Sequence, residues 1–234
     1  LTISLDSSGN SLHQRGYRIE TNIAPINEVL AAGMLLHSGW EDKTYFYDPM
    51  CGSGTLAIEA AMIACNIPPS LNRTTFSFMN WKNFDAELFE VIRNSCLSKV
   101  REFRGHIYAS DKAPSAVRKA QENIENAGLE EYISVVRSDF FFADRPSDVP
   151  LHMVFNPPYG ERLSIDADVF YGKIGDTLKK EYQGCEAWFI TANIEALKSV
   201  GLRPSRKIKM FNGKLESRLV NYELYEGSRK ASKS

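Results

Sequence analysis

No stretch of the 234 residues approaches the roughly 18 to 20 unbroken apolar residues that a membrane-spanning helix needs. The first residues, Leu1-Thr2-Ile3-Ser4-Leu5-Asp6, lack the basic and apolar regions of a secretory signal. Neither a bilayer nor an export route is expected, and the chain reads as cytoplasmic. Cysteine is sparse: Cys51, Cys65, Cys96 and Cys185 form no Cys-x-x-Cys pair, and the four histidines show no ligand spacing with them or with each other. That excludes a disulfide framework and gives no reason to expect a metal. An initiating methionine is missing too. Leu1 stands in what reads as the middle of a strand, so the chain is expected to be a piece of a longer protein. There is no internal repeat and no low-complexity run beyond a short tail. An overall basic excess is absent as well, the net charge being -1, but residues 198 to 234 carry ten Lys or Arg against three Glu. Such a basic end suits phosphate, although residues 228–234 read as a solvated terminus.

What is present is the composition of one globular core, 43% hydrophobic and 24% charged. Short apolar runs alternate with helical patterns: Thr44 to Tyr47, then Leu56 to Cys65; Ile107 to Ala109, then Ala113 to Ala127; Ile133 to Val136; and Leu151 to Phe155. This is the rhythm of parallel strands joined by crossover helices. The helix after residue 112 is the clearest, with Val117, Ala120, Ile124 and Ala127 on one face, Pro114 in its first turn and Gly128 past its end. Beyond it a helix is expected over Val169 to Tyr182, a strand over Cys185 to Thr191 and a short helix over Asn193 to Val200, capped by Asn193 and closed by Gly201. Two strands, Lys207 to Phe211 and Leu219 to Tyr225, joined through residues 212 to 217, suit an antiparallel hairpin. The first 40 residues form a separate segment ending in a helix from about Pro25 to His37, and residues 41–227 form the main α/β domain.

Asp48-Pro49-Met50-Cys51-Gly52-Ser53-Gly54-Thr55 leaves an apolar strand, turns on two glycines and enters a helix. Glycines there let the backbone approach a ligand at the carboxyl end of a strand, where open sheets bind ligands. A Walker phosphate loop fails for want of Gly-Lys-Ser/Thr, and a nicotinamide fingerprint lacks its third glycine. A merely structural turn remains an alternative. Asp48 would repel a pyrophosphate and attract a cationic amino-acid group, which S-adenosylmethionine has. The next strand leads to Asp111 and Lys112, where a carboxylate can accept both ribose hydroxyls. Asp111 lies 57 residues beyond Gly54, so an insertion over about residues 66–104 is expected. Asp139, followed by Phe140, is placed to accept from an adenine amino group while Phe140 packs nearby. Each Asp alone reads as a cap or turn residue; three at consecutive strand ends point to a nucleoside.

After the fourth strand stands Asn156-Pro157-Pro158-Tyr159-Gly160-Glu161-Arg162. An exocyclic base amine is a weak nucleophile because its lone pair is delocalised into the ring. The Asn156 side-chain oxygen and the Pro157 carbonyl can accept its hydrogens and localise that lone pair, and prolines fix φ near -65°. Tyr159 offers a face for a base drawn out of its stack. Arg15, Arg18 and Arg162 are candidate substrate contacts at the pocket mouth. A covalent role for Cys51 is rejected, because it lies inside the glycine loop.

At these residues the chain resembles class I methyltransferases, and more narrowly the THUMP-associated 23S rRNA (guanine-N2)-methyltransferases. The likeness runs through Ser4 to Gly9, Leu12 to Arg18, Ala24 to Glu28, Asp48 to Thr55 with Ile58 to Ala61, Asn156 to Leu163, and Phe211-Asn212-Gly213. It implies a Rossmann-like, mostly parallel seven-stranded sheet ordered 3-2-1-4-5-7-6 with an antiparallel last strand and helices on both faces. It implies S-adenosyl-L-methionine as cofactor, held at Asp48, Pro49, Cys51, Gly52, Gly54, Thr55, Asp111, Lys112, Asp139 and Phe140. Catalysis would fall to Asn156, Pro157, Pro158 and Tyr159. The partner would be RNA, with an RNA-binding THUMP domain ahead of residue 1, and no membrane or metal. Adenine-N6 methylation of DNA or RNA is the alternative, because the same motif serves either amine. A non-catalytic RNA-binding protein on this fold, or a nicotinamide oxidoreductase, is a further one.

Overall fold

The computed structural model describes residues 1–18, 26–158 and 166–225. Its centre is a sheet of seven strands: β1 (Tyr45–Asp48), β2 (Ile107–Asp111), β3 (Ile133–Arg137), β4 (Leu151–Phe155), β5 (Glu186–Thr191), β6 (Arg206–Asn212) and β7 (Leu215–Glu223). They lie in the order β3-β2-β1-β4-β5-β7-β6, the order that the resemblance implied. β1 to β5 are parallel, while β7 runs antiparallel to β5 and to β6. Every residue of β4 is buried, as both faces of a central parallel strand must be. The hairpin is tighter than the sequence suggested. β6 and β7 stay paired to Asn212 opposite Leu215, so only Gly213 and Lys214 turn, with Gly213 at φ 63°.

Helices α1 (Glu28–Ser38), α2 (Thr55–Ala64) and α4 (Pro114–Ala127) join one apolar cluster, which reaches the sheet at Phe46, Ile107, Val154, Trp188 and Leu219. Helix α5 (Ala167–Glu181) and a 3-10 turn, Ala196–Val200, cover the other side with Phe170, Ile174, Leu178 and Val200 against Phe155, Phe189 and Val220. α1 begins at Glu28 because the Asn27 carboxamide caps it, accepting from the N–H groups of Val29 and Leu30 at 2.9 and 3.3 Å; Pro25 lies outside the described residues. α4 opens on Pro114 and closes on Gly128 at φ 66°. The helix expected from Asn193 is only the 3-10 turn, with the Asn193 side chain accepting from Ala196 N–H at 3.1 Å. Residues 66–104 contribute a 3-10 turn, Ser77–Asn80, and helix α3 (Ala86–Leu97), which buries no residue. The strand expected around Leu1 is not there. Leu1, Ile3 and Leu5 have no pairing partner among the described residues, and Asp6 ends the run by accepting from the N–H groups of Ser8 and Gly9.

The closest helical approach is made by a glycine. α5 crosses the 3-10 turn at Gly175, where a Cβ would stand 1.7 Å from the Val200 carbonyl oxygen, inside contact distance of an atom that cannot rotate away. At Gly172, one turn earlier, a Cβ would meet only Ser199 O at 3.6 Å. Gly175→Ala should therefore destabilise the fold by about 3 kcal/mol or more through overpacking, whereas Gly172→Ala should be neutral or gain up to about 1 kcal/mol of helix propensity. Urea unfolding of the two variants beside the parent checks this, and equal effects would refute the packing argument.

Candidate active site

The loop between β1 and α2 is shaped by its glycines and held by side chains from two other elements. Gly52 and Gly54 adopt φ 56° and 81°, and a Cβ on Gly54 would lie 3.2 Å from Cβ of Ala120, so α4 packs directly on the loop. The Asp111 carboxylate, at the end of β2, accepts from the Gly52 N–H at 3.0 Å with one oxygen and from the Ala113 N–H at 2.9 Å with the other. The Asn123 amide on the buried face of α4 donates to the Ser53 carbonyl at 2.9 Å, and the Cys51 N–H donates to the Ser110 carbonyl at 2.9 Å. Asn123 and Ser110 escaped the sequence reading. Their signal was a polar residue on an otherwise apolar face, Asn123 standing between Ala120 and Ile124.

Asp48 is the electrostatic centre of this site. It is 1% exposed, and burial pushes its carboxyl well above the usual range, the Met50 N–H opposing the push and the Asp111 charge adding to it. Among the described residues no cation offsets it. Burial likewise raises the Cys51 thiol, with Asp48 and Asp111 beside it, so Cys51 is held as a thiol and is a poor nucleophile. Asp139, two residues beyond β3, accepts from the Phe141 N–H at 3.1 Å through its side chain. The Phe140 ring is 2% exposed and packs on Phe155 and Tyr182 at centroid distances of 5.9 and 5.5 Å, which places it in the core beneath the site; Phe141 is half-buried and Phe142 exposed. Lys112 is exposed, its carbonyl accepting from Arg137 at 3.3 Å.

On the other side of β1, Asn156 follows the last residue of β4. Its Oδ1 is buried and has no hydrogen-bond partner among the described residues, which leaves an acceptor that an N–H donor of a ligand could satisfy. Pro157 is buried and Pro158 half-buried, which fixes the backbone behind the amide. Asp139, Asp111, Asp48 and Asn156 thus stand at the carboxyl ends of four neighbouring strands, β3, β2, β1 and β4. Tyr159 and Arg162 lie outside the described residues. The other two arginines expected at the mouth are built into the protein. Arg15 is 9% exposed and pairs with Glu59 of α2 at 3.3 Å, and Arg18 faces Glu28 at 3.3 Å while donating to the Thr55 hydroxyl at 2.8 Å. Both guanidiniums are spent on carboxylates that burial would otherwise leave uncompensated. Glu59, another residue not singled out in the sequence, is still raised by burial despite Arg15.

This donor set fits the methionine-linked nucleoside expected from the sequence. An ammonium or sulfonium supplies the counter-charge that Asp48 lacks, and Asp111 keeps lone pairs free for hydroxyls after binding two N–H groups. It suits a metal less: among the described residues no group of three or more His, Cys, Asp or Glu is placed to hold one. No described helix is long and apolar enough to cross a membrane.

A family model described as RMKL-like, methyltransferase domain, matches residues 15–221. The ribosomal RNA large subunit methyltransferase K/L of Shewanella frigidimarina is 40% identical over 236 residues, covering 97% of this chain and 33% of that protein. The chain therefore spans about a third of the length of the curated relatives it matches. Among solved structures, SMU.472, determined in complex with SAH, superposes with a TM-score of 0.87 at 32% identity over 95% of this chain and 58% of its own. A protein of Listeria monocytogenes str. 4b F2365, predicted to be an N6-adenine-specific DNA methylase, superposes with a TM-score of 0.83 at 30% identity over 94% of this chain and 57% of its own.

The uncompensated Asp48 has a measurable signature. Its folded-state pKa is raised, so as pH rises above the unfolded value of about 3.9 the unfolded chain releases a proton that the native chain retains, and stability is lost. Asp48→Asn keeps the bond from the Met50 N–H and removes the titration. The variant should match the parent near pH 4 and exceed its unfolding free energy progressively toward neutral pH, as read by urea titrations at several pH values. A constant difference across that range would show that the carboxyl is not buried without a counter-charge.

Proposed function

The chain belongs to the RMKL-like methyltransferase domain family, and from that premise we propose that it methylates an exocyclic base amine in RNA with S-adenosylmethionine, the amine being N2 of a guanine in 23S ribosomal RNA. The observation that carries the reading is the buried Oδ1 of Asn156, with no hydrogen-bond partner among the described residues, on the strand next to the buried Asp48 carboxyl, on which no described cation acts. One accepts hydrogen bonds and the other accepts a cation, on adjacent strands, which is what bringing an amine to a cationic methyl donor requires. The names of the relatives and the SAH of the SMU.472 complex support the same assignment.

When bound, S-adenosylmethionine supplies a methyl group on a cationic sulfur. The chain's part is to bind and to orient. Asp48 holds the cationic end of the cofactor and Asp111 its ribose hydroxyls. Pro49, Cys51, Gly52, Gly54 and Thr55 form the wall that their backbone and small side chains leave open, and Lys112, Asp139 and the backbone before Phe140 border the adenine. The amide oxygen of Asn156 and the carbonyl of Pro157 accept the two N–H bonds of the base amine, which draws its lone pair out of the ring and toward the methyl group. Pro158 stiffens this turn, and Tyr159 gives the extruded base a face to stack on. Arg15 and Arg18 serve the site from behind, by fixing α2 and Thr55, and Arg162 is assigned to the RNA by its place in the motif. Full-length relatives are about three times as long as this chain, and the THUMP domain that the resemblance implies would share the docking of the ribosomal RNA, a cytoplasmic substrate.

The tests separate cofactor from substrate. S-adenosylmethionine or SAH should raise the melting temperature and NAD should not, because a ligand that binds only the native state adds RT ln(1 + [L]/Kd). Asp111→Ala should weaken that binding by roughly 1 to 3 kcal/mol. Asn156→Ala should leave cofactor affinity nearly unchanged while turnover falls by a factor on the order of 10² to 10³. Mass spectrometry of nucleosides from treated ribosomal RNA should show N2-methylguanosine. N6-methyladenosine instead would favour the activity predicted for the Listeria protein, and stabilisation by NAD alone would remove the methyltransferase reading altogether.

A further inference from the structure

The sequence segment Phe211-Asn212-Gly213 has no part in the site described above, yet the fold carries it to the same edge of the sheet. β5 ends at Thr191, opposite Arg218 of β7, and the hairpin continues past that point through the pairs Met210 with Ser217, Phe211 with Glu216 and Asn212 with Leu215. The hairpin therefore overhangs the edge on which Asn156, Asp48 and Asp111 stand. β4 and β6 are separated by β5 and β7, about 14 Å in all at the usual strand spacing.

Strand alternation sorts its side chains. Ile208 and Met210 pack on the cluster beneath α1 and α2, so Lys207, Lys209 and Phe211 share the opposite face, with Glu216 and Arg218 as cross-strand neighbours. On that face Phe211 is 56% exposed, and the Lys209 ammonium lies 5.2 Å from its ring centroid. Glu216 is the sole carboxylate among residues 203 to 218, against six Lys or Arg. It is shared by Lys209 at 2.6 Å and Arg218 at 2.8 Å, which hold it below the usual range and leave the face net positive. Beside the tip, a cleft of about 560 Å³ opens between Phe211, Asn212 and the first turn of α1 at Asn27, Val29 and Leu30, with room for a base next to the ring.

An exposed aromatic ring among cations is the combination that binds a single-stranded nucleic acid, the ring stacking a base and the cations meeting its phosphates. We propose that the β6–β7 hairpin is a docking arm for single-stranded RNA flanking the target nucleotide, with a base stacked on Phe211 and phosphates on Lys207, Lys209 and Arg218. The proposal rests on the RNA reading above and names the surface that delivers the strand to Asn156. An acidic protein segment would satisfy the charge but leave the exposed ring and its position over the catalytic edge unused.

The test measures binding of a fluorescein-labelled single-stranded RNA oligonucleotide of mixed sequence by anisotropy across a salt series, with the SAH-induced melting shift recorded on the same proteins. Phe211→Ala should weaken RNA binding about ten-fold or more. Lys207→Gln combined with Lys209→Gln should lower the slope of log affinity against log salt by about 0.7 for each phosphate that is no longer neutralised. Arg93→Gln combined with Lys99→Gln, which removes as many charges from the insertion, should change neither. The SAH shift should persist in all of them. Hairpin variants that bind like the parent, a parent that does not bind the oligonucleotide, or a parent that takes poly-glutamate in its place would each overturn the proposal. Loss of the SAH shift in the parent would instead strike the cofactor reading and leave the RNA measurement standing.

Discussion

The glycine loop at the carboxyl ends of the strands depends on one tether, the bond from the Gly52 N–H to the Asp111 carboxylate across the ends of β1 and β2. Parallel pairing brings Asp48 beside Ala109, but pairing alone does not say where the chain goes after the strand ends. The tether, with the Cys51 N–H on the Ser110 carbonyl and the Asn123 amide on the Ser53 carbonyl, holds the loop against the end of β2 and against α4 before α2 begins. Asp111 thereby ties the loop with one carboxylate oxygen and the start of α4 with the other. Its loss is expected to be felt both in cofactor affinity and in the order of the loop.

The site also shows a division between charges that the fold compensates and charges that it leaves open. Glu59 and Glu28 are buried and answered by Arg15 and Arg18. Among the described residues no cation acts on the buried Asp48, and none donates to the Asn156 oxygen. A protein selected for stability alone would have paired or replaced these groups, since an unsatisfied buried polar atom costs on the order of 1 to 3 kcal/mol. They lie on adjacent strands, where a cation and an N–H donor would have to meet.

The arginine network carries a second consequence. Arg15, Tyr17 and Arg18 come from the segment ahead of α1, yet they grip α2 at Glu59 and Thr55. The segment is thus tied to the helix whose first turn borders the glycine loop. A motif that looked like a basic RNA contact is instead an internal brace, and the free positive surface has moved to the far edge of the sheet, on β6 and β7.

Much of this was legible along the chain. The alternation of short apolar runs and helical patterns located β1 to β5, α2, α4 and α5 to within a residue or two, because burial on both faces of a parallel strand and on one stripe of a helix writes its period into the sequence; α3, which buries no residue, wrote no such period and was read only as part of an insertion. The positions of Asp48, Asp111, Asp139 and Asn156 were legible for the same reason: each stands at or within two residues of the end of a strand whose apolar run marks it. The roles of residues whose partners are distant in the chain were not. Arg15 meets Glu59 across 44 residues and Asn123 meets Ser53 across 70; the apolar face around Asn123 marks it as buried, but no local pattern names the distant partner of either residue. The Phe140 ring, expected near the adenine, went to the core because Tyr182 and Phe155 close over it. The overhang of the hairpin depends on where β5 stops relative to β7, a register that only the assembled sheet defines. The sequence by itself determined which chemistry stands at the strand ends, since period and motif are local; only the tertiary structure decided which charges are answered and which wait for a ligand, since compensation is a matter of neighbours in space.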